Sequence, residues 1–165
     1  MNHYPTTYDP MFQAFTACFF ADLPVDWQWL KAQAIAESGL DPLVVSPDGA
    51  RGIMQIMPST WAELRAALNL PDDPFDPHLS IKAGVYYAAR LYRVWRKERG
   101  MERLRFMWAS YNAGLGNILK AQRLASKPDT WASLAEVLPL VTGWDDAPET
   151  IKYIKNIEKI REELT

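Results

Sequence analysis

The chain has 165 residues, a net charge of −2 and a single cysteine, Cys18. That length suits one core and one domain spanning residues 1–165. The near-neutral charge excludes a nucleic-acid partner, which needs a basic surface against many phosphates, and one cysteine excludes an internal disulfide. With 48% apolar residues the chain can fill a core unaided, and seven Trp and seven Tyr either belong to that core or stack on the flat faces of sugars. No apolar run is long enough to span a bilayer. Met1–Pro10 holds two prolines, an aspartate and no Lys or Arg, unlike a signal peptide. Cys18, set among Phe15, Ala17, Phe19 and Phe20, reads as a buried small hydrophobe rather than a lipidated cysteine.

In chain order, Met1–Pro10 reads as an extended lead-in and Met11–Ala21 as a first helix, broken by Leu23-Pro24-Val25-Asp26. Trp27–Ser38 carries Trp27, Leu30, Ala34 and Ile35 at helical spacing, and Gly39 with Pro42 beyond it ends that helix. Ser46-Pro47-Asp48-Gly49 is a turn, and Arg51–Ile56 is the place for any short strand. A helix starts near Pro58, with Thr60 and Glu63 spaced as a capping box. After a proline-rich connection over 71–77, Ser80 caps a helix whose buried stripe is Ile81, Val85, Ala88, Tyr92 and Trp95. Helices follow at Glu102–Asn112, Asn117–Ala125 and Thr130–Leu138, and a last one runs from Glu149 to about Glu163 with Ile154, Ile157, Ile160 and Leu164 inward. The fold class is all-α, α+β at most, with a few short strands.

Glu37 lies in the last turn of its helix, in Ala36-Glu37-Ser38-Gly39. The negative end of the helix dipole and its apolar neighbours disfavour the anion there, so the carboxyl can stay protonated near neutral pH, as a general acid must. Gln55 is the one polar residue in Ile53-Met54-Gln55-Ile56-Met57. A buried amide needs partners, so it is either a satisfied core group or a binder of polar substrate. His3 and His78 are the only histidines, and no HExxH or CxxC pattern occurs, so neither metal nor other cofactor is expected.

Glu37-Ser38-Gly39-Leu40-Asp41-Pro42 followed by the run from Ser46 through Ser59-Thr60 resembles the soluble lytic transglycosylase family, with its pattern E-S-x-x-x-P and S-x-x-G-A-x-G-[LI]-M-Q-[LI]-M-P-x-T. Three further blocks, in the family's order, look like its remaining motifs: Phe75-Asp76-Pro77 with Ile81-Lys82-Ala83-Gly84, Ser110-Tyr111-Asn112-Ala113-Gly114, and the run Glu149-Thr150 to Tyr153 and Ile157. Two departures, Ser80 for a common asparagine and Tyr87 for a common leucine, stand outside the chemistry.

The resemblance implies a lysozyme-like helical domain with a substrate cleft, and a peptidoglycan-cleaving enzyme. It implies Glu37 as the single catalytic acid/base and Ser46, Gln55, Met57, Tyr111, Asn112 and Tyr153 as substrate-binding residues. The bond cleaved would be that between N-acetylmuramic acid and N-acetylglucosamine, leaving 1,6-anhydromuramoyl ends without water. The partner is then the glycan strand, acted on by a monomer. A leaderless chain of this type fits a phage endolysin, passing from host cytoplasm to periplasm and cell wall, or else a virion- or secretion-associated enzyme. The rivals are a hydrolysing lysozyme, for which Asp41 and Asp48 are the nearest second carboxylates, and a non-catalytic glycan-binding protein.

Overall fold

The computed structural model describes residues 4–164, and His3 lies outside them. Over that span the chain is helical, and the isolated antiparallel bridges Val45–Arg51 and Arg51–Ile56 fall where short strand was expected. Two compact units form: one runs to Tyr87 and resumes at Ile157, the other spans Ala88–Asn156. No helix among the described residues is long and apolar enough to cross a membrane.

In the first unit, α1 (Asp9–Phe19) packs on α2 (Trp27–Ser38). Helix α1 starts earlier than Met11 because a proline in the first turn lacks only an N–H that would be unpaired anyway. It buries Phe12 and Thr16. Cys18 stands two residues past Thr16, about 200° around the helix, and is exposed rather than buried. The aromatic neighbours that made it look internal turn elsewhere: Phe15 meets His78 edge-on at 5.0 Å and Phe19 meets Tyr86 at 5.2 Å. Lys31, only 1% exposed, places Nζ 2.6 Å from Asp9 Oδ1 and so ties α2 to the first turn of α1. Losing either partner of such a pair strands a buried charge.

Helix α3 (Pro58–Leu68) carries proline in its first turn and Met57 at the cap, with no side-chain capping bond. Thr60 therefore sits inside the first turn, and the expected capping box does not form. Helix α4 (Pro77–Val94) likewise begins before Ser80: Asp76 is the cap, its Oδ1 accepting from Leu79 N at 2.9 Å. The predicted stripe of Ile81, Val85, Ala88, Tyr92 and Trp95 is buried throughout. The end of α9 (Ala147–Glu163) returns to this unit, where Arg161 donates to Asp26 at 3.0 Å and Tyr4 donates to Glu163 at 2.9 Å. Burial, then the hydrogen bond and charge of Glu163, push the Tyr4 phenol above its usual range.

In the second unit, α6 (Leu115–Leu124) packs against α5 (Gly100–Ala113), α7 (Trp131–Val137) and the single turn α8 (Pro139–Thr142). Trp108, Phe106, Met107, Ile118 and Leu134 are fully buried. Trp95 packs edge-on against Phe106 at 5.0 Å and donates its indole N–H to Ser110 Oγ at 3.0 Å. Of the seven tryptophans, Trp61, Trp95, Trp108 and Trp131 belong to the core and Trp144 is exposed.

Candidate active site

Glu37 is half-buried in the last turn of α2, a turn that contains no basic residue. Its carboxyl thus stands at the negative end of the helix dipole. Gly39 (φ 65) ends the helix, its N–H donating to Ile35 O at 2.8 Å. Leu40 follows at φ 67 and is held there by burial. A non-glycine residue in the left-handed region costs about 1–2 kcal/mol, so the chain leaves Glu37 along a strained and over-determined path. Ser38 fixes the turn from the other side. Its Oγ donates to Ile53 O at 2.8 Å, with Ala34 O at 3.3 Å.

Ile53 belongs to the loop over residues 44–57, which holds three of the expected substrate residues. Ser46 builds its turn: Gly49 N donates to Ser46 O at 2.9 Å, and Ala50 N donates to Ser46 Oγ at 3.0 Å. Gln55 sits at φ 47, and its Nε2 donates to Gly52 O at 2.9 Å and to Val44 O at 3.1 Å. The amide is therefore satisfied by backbone on its donor side, with Oε1 as its remaining polar atom. Met57, exposed, leads into α3.

The loop lies against the start of α4. Gly52 has φ +77, and a side chain there would collide with the carbonyl oxygen of Pro74. Met54 N donates to Ser80 Oγ at 3.3 Å. Met54 is fully buried, and a Cβ on Gly84 would come within 2.5 Å of its Cγ. Ser80 and Gly84 thus seat the loop that Ser38 joins to Glu37.

The other expected residues lie in the second unit. Tyr111 and Asn112 are in the last turn of α5, and Tyr153 is buried on α9. Asn112 Oδ1 accepts from Thr150 Oγ1 at 2.7 Å, joining the end of α5 to the first turns of α9. Two of the motif blocks meet through that bond. Ser110, beside Tyr111, is wholly internal and serves Trp95.

Ser38 and Gly84 are legible only as motif members and Ser80 as a cap, not as the residues that hold the loop in place. The first was legible as the neighbour of Glu37. The other two bond or pack across more than twenty residues of chain, which no local pattern shows. Asp41 Oδ1 accepts from Leu43 N at 2.9 Å, so it closes its own turn. Among the described residues no group of three His, Cys, Asp or Glu side chains is placed to hold a metal.

Known proteins resemble this chain in both sequence and fold. Residues 22–134 match the transglycosylase SLT domain model. The membrane-bound lytic murein transglycosylase F of Maricaulis maris is 39% identical over 155 residues, covering 85% of this chain and 33% of the relative. That of Vibrio cholerae is 32% identical over 165 residues, covering 91% of this chain and 29% of the relative. The chain spans about a third of the length of these curated relatives. The 70 kDa soluble lytic transglycosylase of Escherichia coli superposes with a TM-score of 0.75 at 27% identity, over 97% of this chain and 24% of that one. A complex of the 70 kDa enzyme with bulgecin A gives 0.72 at 27% identity, over 98% and 24%. The helical fold, the motif-bearing loop seated after the glutamate and the match over residues 22–134 lead to one conclusion: the chain belongs to the transglycosylase SLT domain family, with its lysozyme-like fold.

Proposed function

We propose that the chain is a peptidoglycan lytic transglycosylase that cleaves the β-1,4 bond between N-acetylmuramic acid and N-acetylglucosamine, with Glu37 as its single acid/base. The observation that carries the reading is the anchoring of Glu37. A half-buried carboxyl at a helix C-terminus is held by Ser38 to a loop that is itself seated on α4. A group that must give a proton to one oxygen and take one from another needs such fixed placement.

In the proposed reaction the protonated Glu37 donates to the glycosidic oxygen as its bond to C1 of muramic acid breaks. The acetamido oxygen of the same sugar closes on C1 and carries the positive charge. The Glu37 carboxylate then takes the proton of the C6 hydroxyl as that oxygen attacks C1 and displaces the acetamido oxygen. The proton taken replaces the one given, no water is consumed, and the muramoyl end becomes a 1,6-anhydro ring. Ser46, whose oxygen accepts from Ala50 N, keeps its hydrogen for the substrate, and Gln55 keeps Oε1. Met57, Tyr111, Asn112 and Tyr153 complete the proposed substrate-binding set. The setting we propose is the bacterial cell wall, common to a phage endolysin and to relatives named membrane-bound murein transglycosylases.

Mass spectrometry of fragments released from purified peptidoglycan tests the reading. Wild type yields 1,6-anhydromuramoyl ends, and Glu37→Gln lowers the rate by about 10²- to 10⁴-fold or more with the fold retained. Reducing muramic-acid ends would establish a hydrolysing lysozyme instead, and binding without release would establish a glycan-binding protein.

A further inference from the structure

Gln55 Nε2 donates to two backbone carbonyls, and Gln122 Nε2 donates to Glu98 Oε1 and to Pro128 O, each at 2.9 Å. Gln33 departs from that pattern. It is wholly buried on α2, and neither its Nε2 nor its Oε1 has a hydrogen-bond partner. No other side-chain amide among the described residues is both buried and unpartnered. An amide taken from water without partners destabilises a fold, and an apolar side chain of the same shape would serve packing better. A glutamine in that place calls for a role outside packing.

Its position on the helix supplies one. Gln33 lies four residues before Glu37. Residues so spaced share one face of a helix, with Cβ atoms about 5–6 Å apart, and a glutamine one turn before a carboxylate is a pair that bonds. Helical side chains lean toward the N-terminus, so the Glu37 side chain leans back over the turn that holds Gln33. The charges that α1 and α2 bring together are spent elsewhere. Lys31, two residues and so about 200° around the helix from Gln33, is held 2.6 Å from Asp9.

We propose that Gln33 is a positioning residue for Glu37: its Nε2–H donates to the inner oxygen of the Glu37 carboxylate, leaving the outer oxygen to exchange the proton with substrate. Glu37 is half-buried, which suits one oxygen turned inward and one outward. The bond fixes the plane of the carboxyl through both proton transfers and favours the anion left after the first, since a donor binds a charged acceptor more strongly than a neutral one. The inference rests on the transglycosylase reading above.

The test is Gln33→Met, which keeps the length of the side chain and removes the donor. On soluble glycan strands it lowers kcat by about tenfold, the size of one hydrogen bond to a charged group. KM stays within about twofold of wild type, as for an interaction made with the acid/base rather than with substrate. The anion loses a donor, so Glu37 ionises at higher pH and the basic limb of the kcat profile moves upward. The urea midpoint does not fall, because no buried amide is left unpartnered. Gln33→Glu, isosteric but with an acceptor in place of the donor, moves the limb further in the same direction. Wild type offers a measurement that needs no change at this position. The Gln33 side-chain amide protons, followed by NMR, move downfield as Glu37 ionises and stay constant over the same range in Glu37→Gln. A folded Gln33→Met with wild-type kcat and basic limb overturns the assignment, as does a lowered urea midpoint with unchanged kinetics. A wild type that releases no anhydromuramoyl product overturns the transglycosylase reading. An active wild type whose Gln33 amide ignores the ionisation of Glu37 overturns the positioning role alone.

Discussion

The two regions that carry the motif residues solve the same problem in opposite ways. In the loop over residues 44–57 the backbone is irregular, so its carbonyls need partners from outside any helix. Loop N–H groups and side chains supply them together: Val44 O and Gly52 O accept from Gly52 N and Gln55 N and each takes a second bond from Gln55 Nε2, while Ser38 serves Ile53. Around the end of α5 the backbone bonds mostly within helices, with added donors from Ser110 Oγ to Phe106 O and Asn117 Nδ2 to Ala113 O, and polar side chains also bond to one another across elements. Ser110 takes the Trp95 indole N–H, and Asn112 takes the Thr150 hydroxyl. Motif polar residues are thus mortar for a loop in one region and pins between helices in the other. In both, a residue expected to touch substrate also holds up the structure that would present it.

The contrast predicts a gradient of stability effects. The largest belongs to Gly52→Ala, which meets both the left-handed backbone and the carbonyl of Pro74. A loss of about 3 kcal/mol is expected in urea unfolding, and a loss below about 1 kcal/mol would show that the loop moves off Pro74 freely. Next is Gln55. Gln55→Leu and the near-isosteric Gln55→Glu both remove the donor to two carbonyls, and each is expected to cost about 2 kcal/mol. If the glutamate variant kept full stability, the donor role of the amide would be refuted. The smallest effect is at the helix pin. Asn112→Ala is expected to cost about 1 kcal/mol, and a double-mutant cycle with Thr150→Val should return a coupling of similar size. A coupling near zero would mean that α5 and α9 are held together by apolar packing alone.

Much of this molecule is legible in one dimension, and the places where reading fails have a common cause. The span Trp27–Ser38 has the same ends in sequence and structure, because Asp26, Gly39 and a helical apolar period all mark them locally. The stripe of α4 and the inward isoleucines of α9 are buried as their spacing requires. Cap assignments fared worse. Thr60 and Ser80 are good capping residue types, but Pro58 and Pro77 start their helices earlier. Cys18 failed for a related reason: aromatic neighbours in sequence point around a helix, and which side is buried depends on what packs there.

The sequence by itself determined the helical class, the motif loop with its turn, and the glutamate at a helix end, since each depends on interactions within about a turn or two of chain. The folded chain alone decided which polar side chains are consumed by structure. The bond from Ser38 to Ile53, the seat of Met54 between Ser80 and Gly84, and the pin from Thr150 to Asn112 each join residues far apart in sequence. A hydrogen-bond donor or a charge has no preferred partner until packing brings one within about 3 Å and strips away the water that would otherwise serve it.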